Sequence, residues 1–195
     1  MRILHVLDHG LPLQSGYTFR TRAIVKAQFA RGWQVAAVTG PRHHHGSPAT
    51  EMVDGITFHR TGPSMKLRAP LSEMAEVAAF GRRIMAVARD FRPDIIHAHS
   101  PVLDALAAMR ATRALRLPLV YEIRAFWEDA AVGNGTGTEG SLRYRATRAL
   151  ESWAVRRADA VAVICEGLKT DLLARGVAAD KIMVSPNGVD MALFG

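Results

Sequence analysis

Three stretches of the chain place reactive side chains at the ends of apolar runs. The first, Asp8-His9-Gly10-Leu11-Pro12-Leu13-Gln14-Ser15-Gly16-Tyr17-Thr18, is a turn-rich loop feeding a segment of helical period. Small residues at Ser15 and Gly16 let backbone N–H groups approach an anion at the positive end of a helix. An ordinary helix start with a glycine for turning reads the same residues equally well. The second stretch, His97-Ala98-His99-Ser100-Pro101, points two histidines to the same side of an extended strand. Only His99 is expected to lie past the strand end and reach a ligand, with His97 a satisfied core residue. The third, Tyr121-Glu122-Ile123-Arg124-Ala125-Phe126-Trp127-Glu128-Asp129, sets charges beside large aromatics at the end of a buried run. There Glu122 and Arg124 must pair with each other or with a ligand. A guanidinium fork suits phosphate or sugar hydroxyls, and Arg124 is assigned to ligand on that ground.

Other conspicuous groups carry less. His43-His44-His45 lacks carboxylate or cysteine partners at ligand spacing, so it reads as a solvated loop and no metal site is assigned. Met65-Lys66-Leu67-Arg68 and the stripe Arg143, Arg145, Arg148, Arg156, Arg157 read as solvated faces, or as surfaces that rest on a membrane or collect phosphate. The single cysteine, Cys165, follows an apolar run and reads as a small core residue. One cysteine allows no internal disulfide and fits a reducing compartment.

Strands must hold these loops in place. Apolar β-rich runs fall at 3–7, 34–39, 56–60, 94–97, 119–123, 160–164 and 181–184, separated by helical patterns at 18–31, 71–91, 102–114, 141–157 and 167–175. Strands that read as continuous Val/Ile/Leu/Ala stretches belong to a parallel sheet covered on both faces. The expected fold is therefore α/β, a Rossmann-like doubly wound, mostly parallel sheet, whose crevice lies where strand order reverses, between the first and fourth runs. The Gly-rich stretch 132–141 reads as a mobile active-site loop. The loop after the first strand carries no Gly-x-Gly-x-x-Gly fingerprint and no Walker loop is present, which disfavours NAD enzymes and P-loop ATPases.

At 195 residues and 49% apolar content the chain supports one substantial core. A formal charge of +7 favours anionic partners, yet only 7% of residues are aromatic and none interleave with a basic run, so no nucleic-acid partner is expected. No apolar run reaches the roughly 20 residues of a spanning helix, and the amino terminus turns polar too early for a signal peptide, which gives a cytoplasmic expectation. The turn cluster Val184-Ser185-Pro186-Asn187-Gly188-Val189-Asp190 reads as a hinge. The expected division is a domain over 1–185 and the start of a linker over 186–195.

These residues, taken in order, resemble the amino-terminal domain of family-4 glycosyltransferases, the retaining GT-B enzymes. The matching pieces are the Pro12…Ser15-Gly16 loop and its helix, Ala30-Arg31-Gly32-Trp33-Gln34-Val35-Ala36-Ala37-Val38-Thr39, Pro93-Asp94-Ile95-Ile96-His97-Ala98-His99, Ala158-Asp159-Ala160-Val161 through Cys165, and Val184 to Asp190. The run from Val120 to Asp129 is similar to a subgroup linked to bacterial exopolysaccharide and protein-sorting loci. The resemblance implies sugar transfer from a nucleotide-sugar donor to a saccharide or lipid-linked acceptor, with retention and without a cofactor or required metal. Donor binding would fall mainly to a carboxy-terminal domain in cis, absent here, whose paired-glutamate motif would lie beyond Gly195. Ser15, Gly16 and Tyr17 would face the donor phosphates. His99 and Arg124 would act in catalysis and, with Arg148, on the acceptor side. Two positions depart from the family pattern: Ser15-Gly16 replaces Gly-Gly, and Arg124 stands where histidine is usual, so no role needing a neutral imidazole carries over to it. The chain alone is expected to be inactive, since two reactants need two closed domains. Peripheral contact with the inner membrane face fits the basic stripes. The rival readings are a stand-alone phospho-ligand module without chemistry and a GT-B sugar-nucleotide epimerase.

Overall fold

The computed structural model describes residues 1–43, 47–63 and 68–188. His44, His45, the 65–67 part of the basic segment, and Val189 and Asp190 of the turn cluster lie outside the described residues. Eight strands form one sheet: β1 (Arg2–Leu7), β2 (Gln34–Thr39), β3 (Thr50–Val53), β4 (Ile56–Arg60), β5 (Ile95–His99), β6 (Leu119–Ile123), β7 (Ala160–Val163) and β8 (Ile182–Val184). Six helices connect them: α1 (Gly16–Phe29), α2 (Leu71–Phe91), α3 (Val102–Leu115), α4 (Trp127–Gly133), α5 (Leu142–Arg157) and α6 (Glu166–Ala174). The strand order is β3-β4-β2-β1-β5-β6-β7-β8, parallel throughout except for β3. The α/β doubly wound expectation is therefore met. No described helix is long and apolar enough to cross a membrane.

Two elements exceed the sequence expectation. β3 pairs antiparallel with β4 through Asp54 and Gly55, both at positive φ (54° and 76°), the backbone a tight two-residue hairpin requires. Helix α4 occupies the start of the supposed loop, and Thr136 N–H and its hydroxyl both donate to Ala131 O, which ties the following Gly-rich segment to that helix.

The sheet's two faces bury different chemistry. Right-handed crossovers put α1, which runs back to β2, on one face and α2, α3, α5 and α6, which run the other way, on the opposite face. Alternate residues Leu4, Val6, Ile96, Ala98, Tyr121 and Ile123 point into the larger apolar core under those four helices. Close α2–α3 packing depends on Gly81, where a Cβ would stand 3.2 Å from Ala107 O. The α1 face has a smaller apolar cluster over β1, β2 and β4, including Leu7, Val25 and Phe58. Over β5 and β6 the same face carries polar residues instead. Register sets His5 beside His97, and His99 beside Glu122. Strand order reverses between β1 and β5, the position at which doubly wound sheets place their ligand crevice.

Candidate functional site at the strand-order reversal

Beyond β1, Ser15 adopts the extended conformation of a helix N-cap, and its Oγ accepts from Thr18 N–H at 3.2 Å. His9 braces the cap, with Nε2 3.1 Å from Ser15 Oγ and Nδ1 3.0 Å from Asp8 Oδ2. The N–H groups of Gly16 and Tyr17 then have no intrahelical carbonyl to reach, and both stand at the positive end of α1. Gly16 is exposed, and a Cβ there would meet nothing within 4 Å. Packing does not require a glycine at this position; its bareness leaves room for something to approach the backbone.

Arg124 fastens this turn to the sheet. Its Nη1 donates to Tyr17 O at 2.7 Å, its Nη2 donates to Thr21 Oγ1 at 3.0 Å and to His99 Nδ1 at 2.7 Å, and its Nε donates to Glu122 Oε1 at 2.9 Å. Its guanidinium stacks 4.0 Å from the Tyr17 ring. Ser15, Gly16, Tyr17, His99 and Arg124, dispersed in sequence, are thus brought together. The Tyr17 hydroxyl accepts from Asp8 N–H at 3.3 Å, and burial, followed by the nearby Asp104 charge, pushes its pKa up.

The direction of the hydrogen bonds beneath Arg124 follows from chemistry alone. A guanidinium only donates, so His99 Nδ1 accepts and its proton sits on Nε2. That N–H donates to His5 Nδ1 at 2.9 Å, and His5 Nε2–H in turn donates to Gln28 Oε1 at 2.9 Å. The chain requires both imidazoles to be neutral. Burial first, and His97 second, hold His99 well below the usual histidine range and bring His5 to about 3.

Glu122 balances the cluster. Arg20 reaches its Oε1 at 2.8 Å alongside Arg124, and His97 Nε2 lies 3.2 Å from Oε2 without hydrogen-bond alignment. Burial works to raise this carboxyl, but His99 and His97 beside it prevail and hold it well below the carboxylate range, while Arg20 and Arg124 supply its counter-charge. Arg20 also donates to Ser185 O, Pro186 O and Asn187 Oδ1, joining α1 to the segment where the sequence places a hinge.

Several expected roles change in this light. The burial of the two histidines is reversed: His99 is fully enclosed beneath Arg124, while His97 keeps partial exposure, because α1 covers the carboxyl end of β5 and not its middle. A ligand in this arrangement reaches His99 only through Arg124. Arg124 forms the Glu122 pair that the sequence offered as the alternative, and its side chain is 10% exposed. Arg148 is not brought to this cluster; it sits on α5, on the opposite face, 3.5 Å from Asp171 of α6. Cys165 is exposed, not core. His43 is buried, with Gly10 N–H donating to its Nδ1.

Sequence reasoning missed Arg20, His5 and Asp104. Arg20 lies four residues after Gly16, on the same helical face, which was a usable signal. His5 and His97 both point to the α1 face by strand alternation, but only the register shows them side by side. Ring nitrogens of His5, His97 and His99 approach within 4.8 Å of one another, a spacing a metal can use. Those of His5 and His99 are engaged with each other, Gln28 and Arg124, and two guanidiniums already supply positive charge at Glu122, so the donor set fits a hydrogen-bond network and not a metal cage.

A second opening lies on the α2–α5 side of the reversal. A chamber of about 200 Å³ is walled by Leu103, Trp127, Val132, Tyr144 and Leu150. A small niche beside it is bounded by Asp8, Arg42, Glu76 and Asp104.

The family profile described as Glycosyl transferase 4-like domain matches residues 15–188. The chain is 26% identical over 156 residues to a GDP-mannose-dependent alpha-mannosyltransferase of Mycolicibacterium smegmatis, covering 80% of this chain and 41% of that protein. Among solved structures, sucrose-phosphate synthase from Thermosynechococcus elongatus superposes with a TM-score of 0.74 at 16% identity, over 98% of this chain and 49% of that one. A UDP-GlcNAc 2-epimerase from Neisseria meningitidis, solved with UDP-GlcNAc, superposes at 0.58 with 17% identity, over 94% and 45%. The chain spans less than half the length of each.

Proposed function

The chain belongs to the glycosyl transferase 4-like domain family, and we propose that it is the amino-terminal, acceptor-side domain of an enzyme that moves a sugar from a nucleotide-sugar donor to a saccharide or lipid-linked acceptor. Retention at the anomeric carbon and a place in exopolysaccharide or cell-surface glycan synthesis complete the reading, with action in the cytoplasm or at the inner membrane face. The carrying observation is the bare Gly16 turn, held at the strand-order reversal by Arg124 and linked through Arg20 to 185–187.

In the reaction the bond from the anomeric carbon to the diphosphate breaks and its electron pair leaves with the nucleoside diphosphate. A new bond forms to an acceptor hydroxyl, whose proton passes to the departing diphosphate. The N–H groups of Gly16 and Tyr17 and the positive end of α1 stabilise charge on the leaving diphosphate. Arg124 and His99 act as positioning residues: they fix the carbonyl of Tyr17 and the hydroxyl of Thr21, and with them the direction of the turn. A carboxy-terminal domain supplies the rest of the donor site, so the isolated chain turns over little.

Gly16→Asp tests this in the full-length enzyme. The site is open, and an acid in a helix's first turn is favourable to the helix, so the melting temperature is expected to hold. A carboxylate aimed at the donor diphosphate should raise the donor KM about tenfold or more. Nucleoside diphosphate release measured with GDP-mannose and UDP-sugars, with and without saccharide acceptors, completes the test. Acceptor-dependent release supports transfer; turnover with donor and water only favours the epimerase, and binding without turnover favours a module without chemistry.

A further inference from the structure

The niche and the chamber adjoin at Leu103 and are taken together as one groove. Leu103 lines both, and the Arg42 guanidinium at the niche lies 6.0 Å from the Trp127 ring at the chamber. The groove begins where Asp8 leaves β1, the residue whose N–H also holds the Tyr17 hydroxyl.

The inner end is polar and small, with about 10 Å³ of free space, roughly the least that admits one water molecule or one hydroxyl oxygen. Asp104 lines it at 3% exposure, and its Oδ2 has no hydrogen-bond partner. A buried carboxyl oxygen left unpaired calls for a reason. A ligand hydroxyl placed there would supply the missing bond. Burial, reinforced by Asp8, pushes the Asp104 carboxyl well up, so it can donate to such a hydroxyl as well as accept from it.

The outer end is mainly apolar, with Glu73, Glu128, Thr138, Tyr144 and Thr147 also in its lining. Leu103, Val132, Leu150 and the half-buried Trp127 form its walls. Its volume falls below the roughly 300–1,000 Å³ of a drug-sized site, which suits a short aliphatic segment. Just outside, Leu71 and Met74 at the start of α2 and Leu142 at the start of α5 are exposed, Leu142 by 84%. They neighbour Pro70, Glu73, Ser141 and Arg143 at the chamber's edge. Exposed apolar residues thus adjoin the chamber's lining in sequence, and Arg143 belongs to that lining.

We propose that this groove is the acceptor site and that it takes an amphiphile, a glycoside whose hydroxyl-bearing end reaches the Asp8–Asp104 niche and whose aliphatic end fills the Trp127 chamber. This rests on the transferase reading above and narrows it from a saccharide in general to a lipid-linked one.

The test uses the full-length protein and calorimetric titration with two probes below micelle-forming concentration, n-octyl β-D-glucopyranoside and methyl β-D-glucopyranoside. The octyl glycoside is expected to bind at least about tenfold more tightly, which burial of two methylenes suffices to give. Thr138→Trp places bulk in the chamber from an exposed lining position. It should abolish the tenfold gap and leave the melting temperature unchanged. Asp104→Ala should weaken both glycosides about tenfold with nucleotide-sugar affinity unchanged; Glu76→Ala at the same niche repeats the test should that variant fold poorly. Equal binding of the two probes, no binding of either, a gap that survives Thr138→Trp, or niche variants without effect would overturn the proposal. Binding as expected with no nucleoside diphosphate release from any donor would instead defeat the transferase reading.

Discussion

Glu122 on one face of the sheet and Glu151 and Asp104 on the other are buried acids handled in opposite ways, although Glu128, near Glu151, keeps Arg175 at 2.8 Å as its counter-charge. On the α1 face, Glu122 is enclosed but surrounded by Arg20, Arg124 and His97, and its pKa is driven down. On the α2–α5 face, Glu151 accepts one bond from the Tyr121 hydroxyl at 2.5 Å and Asp104 leaves an oxygen unpaired; burial raises both. A satisfied charge network stiffens a structure, whereas a buried acid short of partners stores a capacity to bind. The α1 face therefore supplies a rigid frame for the Gly16 turn, and the opposite face offers the open valences.

The largest expected effect comes from removing the charge that holds the frame. Glu122→Gln leaves two nearly buried guanidiniums without their counter-charge, a loss of about 3–5 kcal/mol for a buried pair broken on one side. Urea denaturation should show it, and an unchanged midpoint would mean that the network is ornamental. The sign with pH follows. The folded pKa of Glu122 lies below the unfolded value of about 4.3, so its stabilisation is present above that value and is lost as pH falls through the folded one.

Glu151 should behave the other way. Its folded pKa is raised to about 7, chiefly by burial. Between the unfolded value of about 4.3 and 7 the folded state holds a proton that the unfolded state has released, so stability declines as pH rises across that window. Glu151→Gln keeps an acceptor for Tyr121 and removes the ionisation. It should be nearly neutral at pH 4 and stabilise by up to about 4 kcal/mol at pH 8. Parallel melting curves for Glu122→Gln and Glu151→Gln would erase the distinction between the faces.

How much of this was legible in the sequence depended on range. The reversal between β1 and β5, and the gathering of Gly16, His99 and Arg124 there, followed from the order of apolar runs, since loops after parallel strands share one rim. Hairpin β3 was overlooked although Asp54-Gly55 signalled it, because Thr50–Val53 is half exposed and lacks a continuous apolar run. Helix α4 has only 7 residues and starts on an aromatic run that looked like a strand's end. The His5–His99 bond joins positions 94 apart and the Arg20–Glu122 pair positions 102 apart, so both depend on register and helix placement that composition does not encode. The exposed histidine was misassigned for the same reason: what covers a strand end is a tertiary fact.

The smallest expected effect concerns the cap that shapes the turn. Ser15 Oγ takes Thr18 N–H and also meets Thr18 Oγ1 and His9 Nε2. Ser15→Ala should cost about 1 kcal/mol, the usual worth of a helix N-cap, visible as a small drop in denaturation midpoint. Ser15→Asp restores an acceptor for Thr18 N–H and adds a charge that the positive end of α1 favours, so stability should return. That carboxylate would also face any diphosphate bound at Gly16. Recovered stability with weakened donor affinity separates the framing role of this turn from its binding role; recovery of both would mean that phosphate does not approach here, and the α1 side would then be frame alone.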